Sequence, residues 1–152
     1  MTRLCILYGT ETGNSQDVAK RIGREAQSYG LTPFVQSLHA YNVMDLPTEQ
    51  LVVFVVATTG QGDVPVKMKA FWKFIFRKSL KNDPLKGMQF AVFGLGDSAY
   101  VKFNVVAKKL QNRLISLGAE MIIQRGLGDD QAEEGYEAVL DPWLNDLWNR
   151  LT

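Results

Sequence analysis

A doubly wound α/β domain, a parallel sheet with helices on both faces, is the fold class this chain predicts. Two patterns carry the prediction. Short apolar runs alternate with helical periodicity from end to end, and strands that alternate with helices pair in parallel. One of the runs, Leu51–Ala57 (LVVFVVA), is apolar at every position, as a central strand covered on both faces must be. Right-handed crossovers then distribute the helices over both faces.

The elements follow in order. Leu4–Tyr8 reads as the first strand and Ser15–Tyr29 as a helix closed by Gly30. Phe34–Leu38 is the second strand, Leu51–Ala57 the third, and Val66–Arg77 the helix after it. Gln89–Leu95 is the fourth strand, entered from Gly87. Asn104–Leu117 carries Val105, Val106, Leu110, Leu114 and Leu117 on one helical face and stops at Gly118. Glu120–Gln124 is the fifth strand. A last helix covers Tyr136–Arg150, with Val139, Leu140, Trp143, Leu144, Leu147 and Trp148 as its apolar set.

With 152 residues, 46% hydrophobic and 22% charged, the chain forms one domain over 1–152 that buries about two thirds of its unfolded surface. No apolar run approaches the ~18–20 residues that span a membrane, and Met1-Thr2-Arg3 leads straight into a strand rather than a signal peptide. A lone cysteine, Cys5, suits a reducing compartment. Charge is polarised: Lys67–Arg113 holds eleven basic residues against Asp83 and Asp97, and Asp129–Asp146 holds seven acids and no base. Such a domain can orient a charged partner. The basic stretch contains Phe71-Trp72-Lys73-Phe74-Ile75-Phe76, whose bulk belongs in a core, so nucleic acid is not the expected partner. His39 stands far in sequence from every candidate loop, and no Cys/His cluster is spaced for metal.

Three loops leave the C-terminal ends of strands, where doubly wound sheets bind ligands. The first, Thr10-Glu11-Thr12-Gly13-Asn14-Ser15, joins a buried strand to a helix start. Its amides converge with the positive end of the helix, and its hydroxyls add donors. It lacks both the P-loop pattern and the G-x-G-x-x-G fingerprint, which points to a single phosphate monoester. The second loop is Ala57-Thr58-Thr59-Gly60-Gln61-Gly62-Asp63 and the third Phe93-Gly94-Leu95-Gly96-Asp97-Ser98-Ala99-Tyr100. Glycines at such spacing let backbone approach a flat ligand, on which Tyr100 can stack.

On these loops, on Val101-Lys102-Phe103-Asn104 and on Leu127-Gly128-Asp129-Asp130, the chain resembles the flavodoxin-like FMN domain of the diflavin reductases, the group containing cytochrome P450 reductase. Phe71–Lys78 and Asp141-Pro142-Trp143 look most like the NADPH-dependent members that serve cytosolic iron–sulfur protein assembly. The resemblance implies a five-stranded parallel sheet of order 2-1-3-4-5 and FMN as cofactor. Thr10, Glu11, Thr12, Gly13, Asn14 and Ser15 would cradle its phosphate. Ala57, Thr58, Thr59, Gly60 and Gly62 would form the loop beside the ring, with Gly60 able to turn its peptide N–H toward flavin N5. Leu95, Gly96 and Asp97 would border the ring or ribityl chain, Tyr100 would stack on it, Phe103 and Asn104 would support the loop, and Asp130 would lie near the ring edge. Asp63, Asp97, Asp129 and Asp130 would disfavour negative charge on the ring. Thr59 stands where relatives of the P450-reductase type carry an aromatic residue, which implies weaker FMN binding.

The resemblance also implies a cytoplasmic protein, without membrane or nucleic-acid partners, of which this chain is the N-terminal part. FAD and NADPH would bind in domains beyond it, and an anamorsin-like iron–sulfur protein would accept the electrons. Two other readings stay open on the residues: a free-standing flavodoxin, and a flavin-free interaction domain on the same fold.

Overall fold

A computed structural model describes residues 2–10 and 12–152. The strands are β1 (Arg3–Gly9), β2 (Thr32–Ser37), β3 (Leu51–Ala57), β4 (Gln89–Gly96), β5 (Glu120–Met121) and β6 (Gly126–Asp129). The helices are α1 (Asn14–Ser28), α2 (Lys69–Ile75), α3 (Val105–Ser116) and α4 (Glu137–Leu151). The sheet is parallel in the order β2-β1-β3-β4-β5, and β6 pairs with β4 as well.

Alternation along the central strands splits the core in two. Cys5, Leu7, Val52, Phe54, Val56, Phe90 and Val92 face α2 and α3. Leu4, Ile6, Val53, Val55, Ala91 and Phe93 face α1 and α4. This is why the central strands are apolar throughout: each residue points into one of two cores. Burial also pushes the Cys5 thiol far above its ordinary pKa, so it packs as a small hydrophobe.

Two elements differ from expectation. The predicted fifth strand, Glu120–Gln124, ends after two residues. Gln89 pairs with Glu120, but Phe93 pairs with Gly126, so the partner chain gains two residues between the two ladders. At the break the Trp143 indole N–H donates to the Gln124 carbonyl (2.9 Å), and Gln111 both donates to the Gln124 side chain (2.8 Å) and accepts from the Arg125 amide (3.0 Å). Pairing resumes as β6 in the Gly-rich stretch Gly126–Asp129, to which the sequence pattern assigns no strand. The predicted helix Val66–Arg77 starts instead with a 3-10 turn over Val66–Met68 and is α-helical only over Lys69–Ile75. A further 3-10 segment, Val43–Thr48, inserts buried Leu46 into the α2/α3 core.

Candidate functional site

β1 delivers the first loop. A Cβ on Gly9 would sit 2.5 Å from Met68 Sδ, so only glycine lets the strand end pass beneath that side chain. Gly13 adopts φ +99° at the N-terminus of α1 and donates its N–H to Thr10 Oγ1 (2.7 Å). The Thr10 hydroxyl therefore folds the turn. Ser15, in the first turn of this 15-residue helix, is fully buried, and its Oγ has no hydrogen-bond partner among the described residues. Among those residues no side chain caps α1, so its N-terminal potential faces outward from the helix end.

The second and third loops are tied to each other and to α3. The Thr58 N–H donates to the Leu95 carbonyl (3.0 Å), and the Val106 N–H donates to Thr58 Oγ1 (3.1 Å). Thr59 closes its own loop: its N–H donates to the Asp63 carbonyl, its Oγ1 accepts from the Asp63 N–H (3.1 Å), and its carbonyl accepts from the Gly62 N–H. Across the gap, Asp97 accepts from the Ala99 N–H (2.9 Å) and the Gln131 side-chain amide (3.1 Å). Asn104 is buried in the left-handed region (φ 53°) and donates to the Gly128 carbonyl (3.0 Å), while its Oδ1 has no partner among the described residues. Left-handed backbone is tolerated better by Asn than by most residues. A Cβ on Gly96 would meet Asn104 at 3.0 Å, and one on Gly94 would meet its Oδ1 at 2.6 Å. Those glycines let the asparagine lie on the strand. The half-exposed Tyr100 ring lies on Gly60, where a Cβ would be 3.0 Å from two ring carbons.

Together the loops enclose a cavity of about 390 Å³. Of the expected residues, Thr10, Thr12, Asn14, Ser15, Ala57, Thr58, Thr59, Gly60, Leu95, Gly96, Asp97, Tyr100, Phe103, Asn104 and Asp130 line it. Glu11 lies outside the described residues. Gly13 and Gly62 do not line the cavity; each makes a turn behind it at positive φ. Lys102 does line it and was missed. Its signal was register: residues 100 and 102 stand opposite glycines 60 and 62, and the Lys102 stem covers Gly62 as Tyr100 covers Gly60.

The acidic environment is smaller than four carboxylates. Asp63 borders a separate cavity with Lys69, Trp72 and Lys109. Asp129 turns to the backbone, accepting from the Ser98 and Gln131 N–H groups at 2.9 Å each. The hydrogen bonds from Ser98 first, then Gln131, hold its pKa below the ordinary value. Asp130 shifts the other way: partial burial, then Asp97 and Asp129, raise its pKa. The pKa values of the adjacent aspartates thus move in opposite directions, and among the described carboxylates only Asp97 and Asp130 line the cavity.

A family model described as Flavodoxin matches residues 6–143. Over 149 residues the chain is 54% identical to NADPH-dependent diflavin oxidoreductase 1 of Bos taurus, covering 98% of this chain and 25% of that protein. It is 53% identical over 150 residues to the protein of the same name from Arabidopsis thaliana, covering 98% and 24%. The chain thus spans about a quarter of the length of the curated relatives it matches. Among solved structures, a flavodoxin variant from Pseudomonas aeruginosa superposes with a TM-score of 0.83 at 23% identity, covering 99% of each chain. The TIGR4 flavodoxin of Streptococcus pneumonia gives 0.81 at 22%, covering 98% and 99%. With the sheet order, the cavity at the strand ends and a family match over most of its length, the chain belongs to the flavodoxin family.

Proposed function

We propose that this domain binds FMN and carries electrons within an NADPH-dependent diflavin oxidoreductase. The observation that carries the reading is Ser15: a fully buried hydroxyl on the wall of the cavity, in the first turn of α1, with no hydrogen-bond partner and no helix cap among the described residues. An unpaired buried hydroxyl is costly unless a ligand or water satisfies it, and a phosphate at a helix N-terminus does so. The Asn104 carbonyl oxygen is a second such group. The residues present fit FMN: Thr12, Asn14 and Ser15 for its phosphate, Gly60 and Tyr100 for its ring, Leu95, Gly96 and Asp97 for the stretch between.

When bound, FMN supplies the one-electron redox chemistry. The chain's own part is to hold the phosphate at α1, to bring a half-exposed tyrosine and a glycine backbone to a flat ring, and to place Asp97 and Asp130 where added negative charge is disfavoured. Tyr100 touches Gly60, so a ring seated between them displaces the tyrosine side chain.

The names of the relatives support an FAD/NADPH domain in the same polypeptide as electron donor. An anamorsin-like iron–sulfur protein in the cytoplasm is the proposed acceptor, in iron–sulfur cluster assembly. Among the described residues no helix is long and apolar enough to cross a membrane. A free-standing flavodoxin is the second reading, on the fold shared with the Pseudomonas structure; the 54% identity to the diflavin relative favours the first.

The test is an absorption spectrum of the purified chain with added FMN after gel filtration, followed by anaerobic stepwise reduction. Retained flavin bands that bleach in two resolved one-electron steps support the reading. A chain that retains no flavin overturns it.

A further inference from the structure

Lys102 is the one cationic side chain lining the cavity among the described residues. It makes no ion pair with any described carboxylate, all such pairs belonging to Arg3 and Arg21. Its stem is seated on Gly62, whose positive φ and missing Cβ both make room for it. The seat fixes where the ammonium can reach, because the loop bearing Gly62 is closed on itself by the Thr59–Asp63 hydrogen bonds. Among the described residues two carboxylates, Asp97 and Asp130, line the same cavity. Asp97 is tied down by the Ala99 and Gln131 donors, whereas no hydrogen bond to the side chain of Asp130 is found among the described residues.

We propose that Lys102 is a positioning residue that sets the redox potential of the site, by offsetting Asp97 and Asp130 and favouring the more negative, reduced form of the cofactor. The inference rests on the FMN reading above. The step it acts on is simple in balance: one electron from the reductant enters the bound group, and no bond to Lys102 forms or breaks. Each electron that arrives without a proton adds one negative charge, which a nearby ammonium stabilises. By linkage, any residue that binds the reduced form better than the oxidised one raises the potential.

Four forms of the chain separate charge from packing: the parent, Lys102→Arg, Lys102→Met and Lys102→Glu. Lys102→Met keeps the stem on Gly62 and removes the charge. For each, FMN dissociation constants are measured by fluorescence and midpoint potentials by anaerobic titration, at low and high salt. Lys102→Arg should hold the parent potential. Lys102→Met should lose preference for the reduced form by about tenfold, which is about 59 mV for a one-electron step. Lys102→Glu should lose more, and both differences should shrink at high salt as screening grows. Lys102→Met and Lys102→Glu at the parent potential, in a parent that binds FMN, would overturn the Lys102 inference and leave the FMN reading standing. A fall in potential that salt does not diminish would overturn it too, since packing rather than charge would be responsible. A parent that binds no FMN overturns both.

Discussion

Ser15 and Asp130 are single residues whose surroundings make separable demands. Ser15 Oγ is buried without a partner, so Ser15→Ala should leave the stability of the flavin-free chain level with or slightly above the parent. FMN affinity should fall by about 10- to 100-fold, since a hydrogen bond to a charged group contributes about 1.5–3 kcal/mol. Fluorescence titration and urea unfolding read the two effects; equal affinity would remove Ser15 from the phosphate site. Thr59→Tyr tests the missing aromatic, with FMN binding expected to tighten by about 1–3 kcal/mol, the scale of base–aromatic stacking. The Thr59 hydroxyl holds Asp63, so a tyrosine there must also keep the loop closed. The adjacent aspartates differ in pH response. Asp129, with its lowered pKa, supplies stability above its unfolded-state value that is lost as pH falls through its folded value. Asp130, with its raised pKa, contributes only below its unfolded-state value, and that contribution is gone once pH rises through its folded value. At neutral pH, Asp129→Asn should therefore melt below the parent and Asp130→Asn above it, with both converging on the parent in strong acid. Melting curves at the two pH values decide this.

At the scale of elements, β6 holds the third loop in place. It pairs with the C-terminal half of β4, and through Gly128 it accepts the Asn104 side chain. Its glycines are dictated by side chains of β4, of α4 and of the residue before α4. A Cβ on Gly126 would meet the Phe93 ring at 2.6 Å and Trp143 Cδ1 at 2.9 Å, and one on Gly128 would meet Tyr136 Cβ at 2.8 Å. Phe93 and Trp143 are buried and pack tilted, centroids 5.2 Å apart. Gly126→Ala should therefore destabilise by about 1–3 kcal/mol, the usual cost of overpacking. Urea unfolding checks it, and a variant as stable as the parent would mean that α4 is free to withdraw.

For the whole molecule, the charge polarity visible along the chain persists in space as an unpaired basic face. Lys69, Lys73 and Lys78 are exposed, and among the described residues none of them forms an ion pair. Exposed apolar surface lies beside them at Val66 and Phe76. If the proposed acceptor is acidic, reversing these three lysines to glutamate should slow electron transfer to it by about tenfold or more at low salt, with the effect fading at high salt. Stopped-flow reduction of the acceptor across a salt series measures it. An unchanged rate would move docking to the acidic face of α4.

Several features were settled by local chemistry and were therefore legible along the chain. An all-apolar run such as Leu51–Ala57 has one stable environment, a strand between two cores. A hydroxyl-rich turn at Thr10–Ser15 before an amphipathic helix has one obvious use, and glycine-spaced loops after β3 and β4 announce close backbone approach. Fold class follows from such signals and strand order through the family resemblance, and of the expected site residues that the structure describes, all but Gly13 and Gly62 line the cavity. The tertiary structure alone decided the rest. Whether Gly126–Asp129 is loop or strand depends on Phe93, Trp143 and Tyr136 arriving from elsewhere, and glycine carries no periodicity to show it. Whether an aspartate faces the cavity depends on which amides claim it: distant Ser98 and neighbouring Gln131 hold Asp129 away, while Asp130 stays. Lys102 stands in a segment that carries the family resemblance but has no role assigned by it, and the contact of two loops forty residues apart makes it part of the site. Pattern along a chain records what a segment's own residues prefer; which side chains share a cavity is set by packing between segments that the chain order keeps apart.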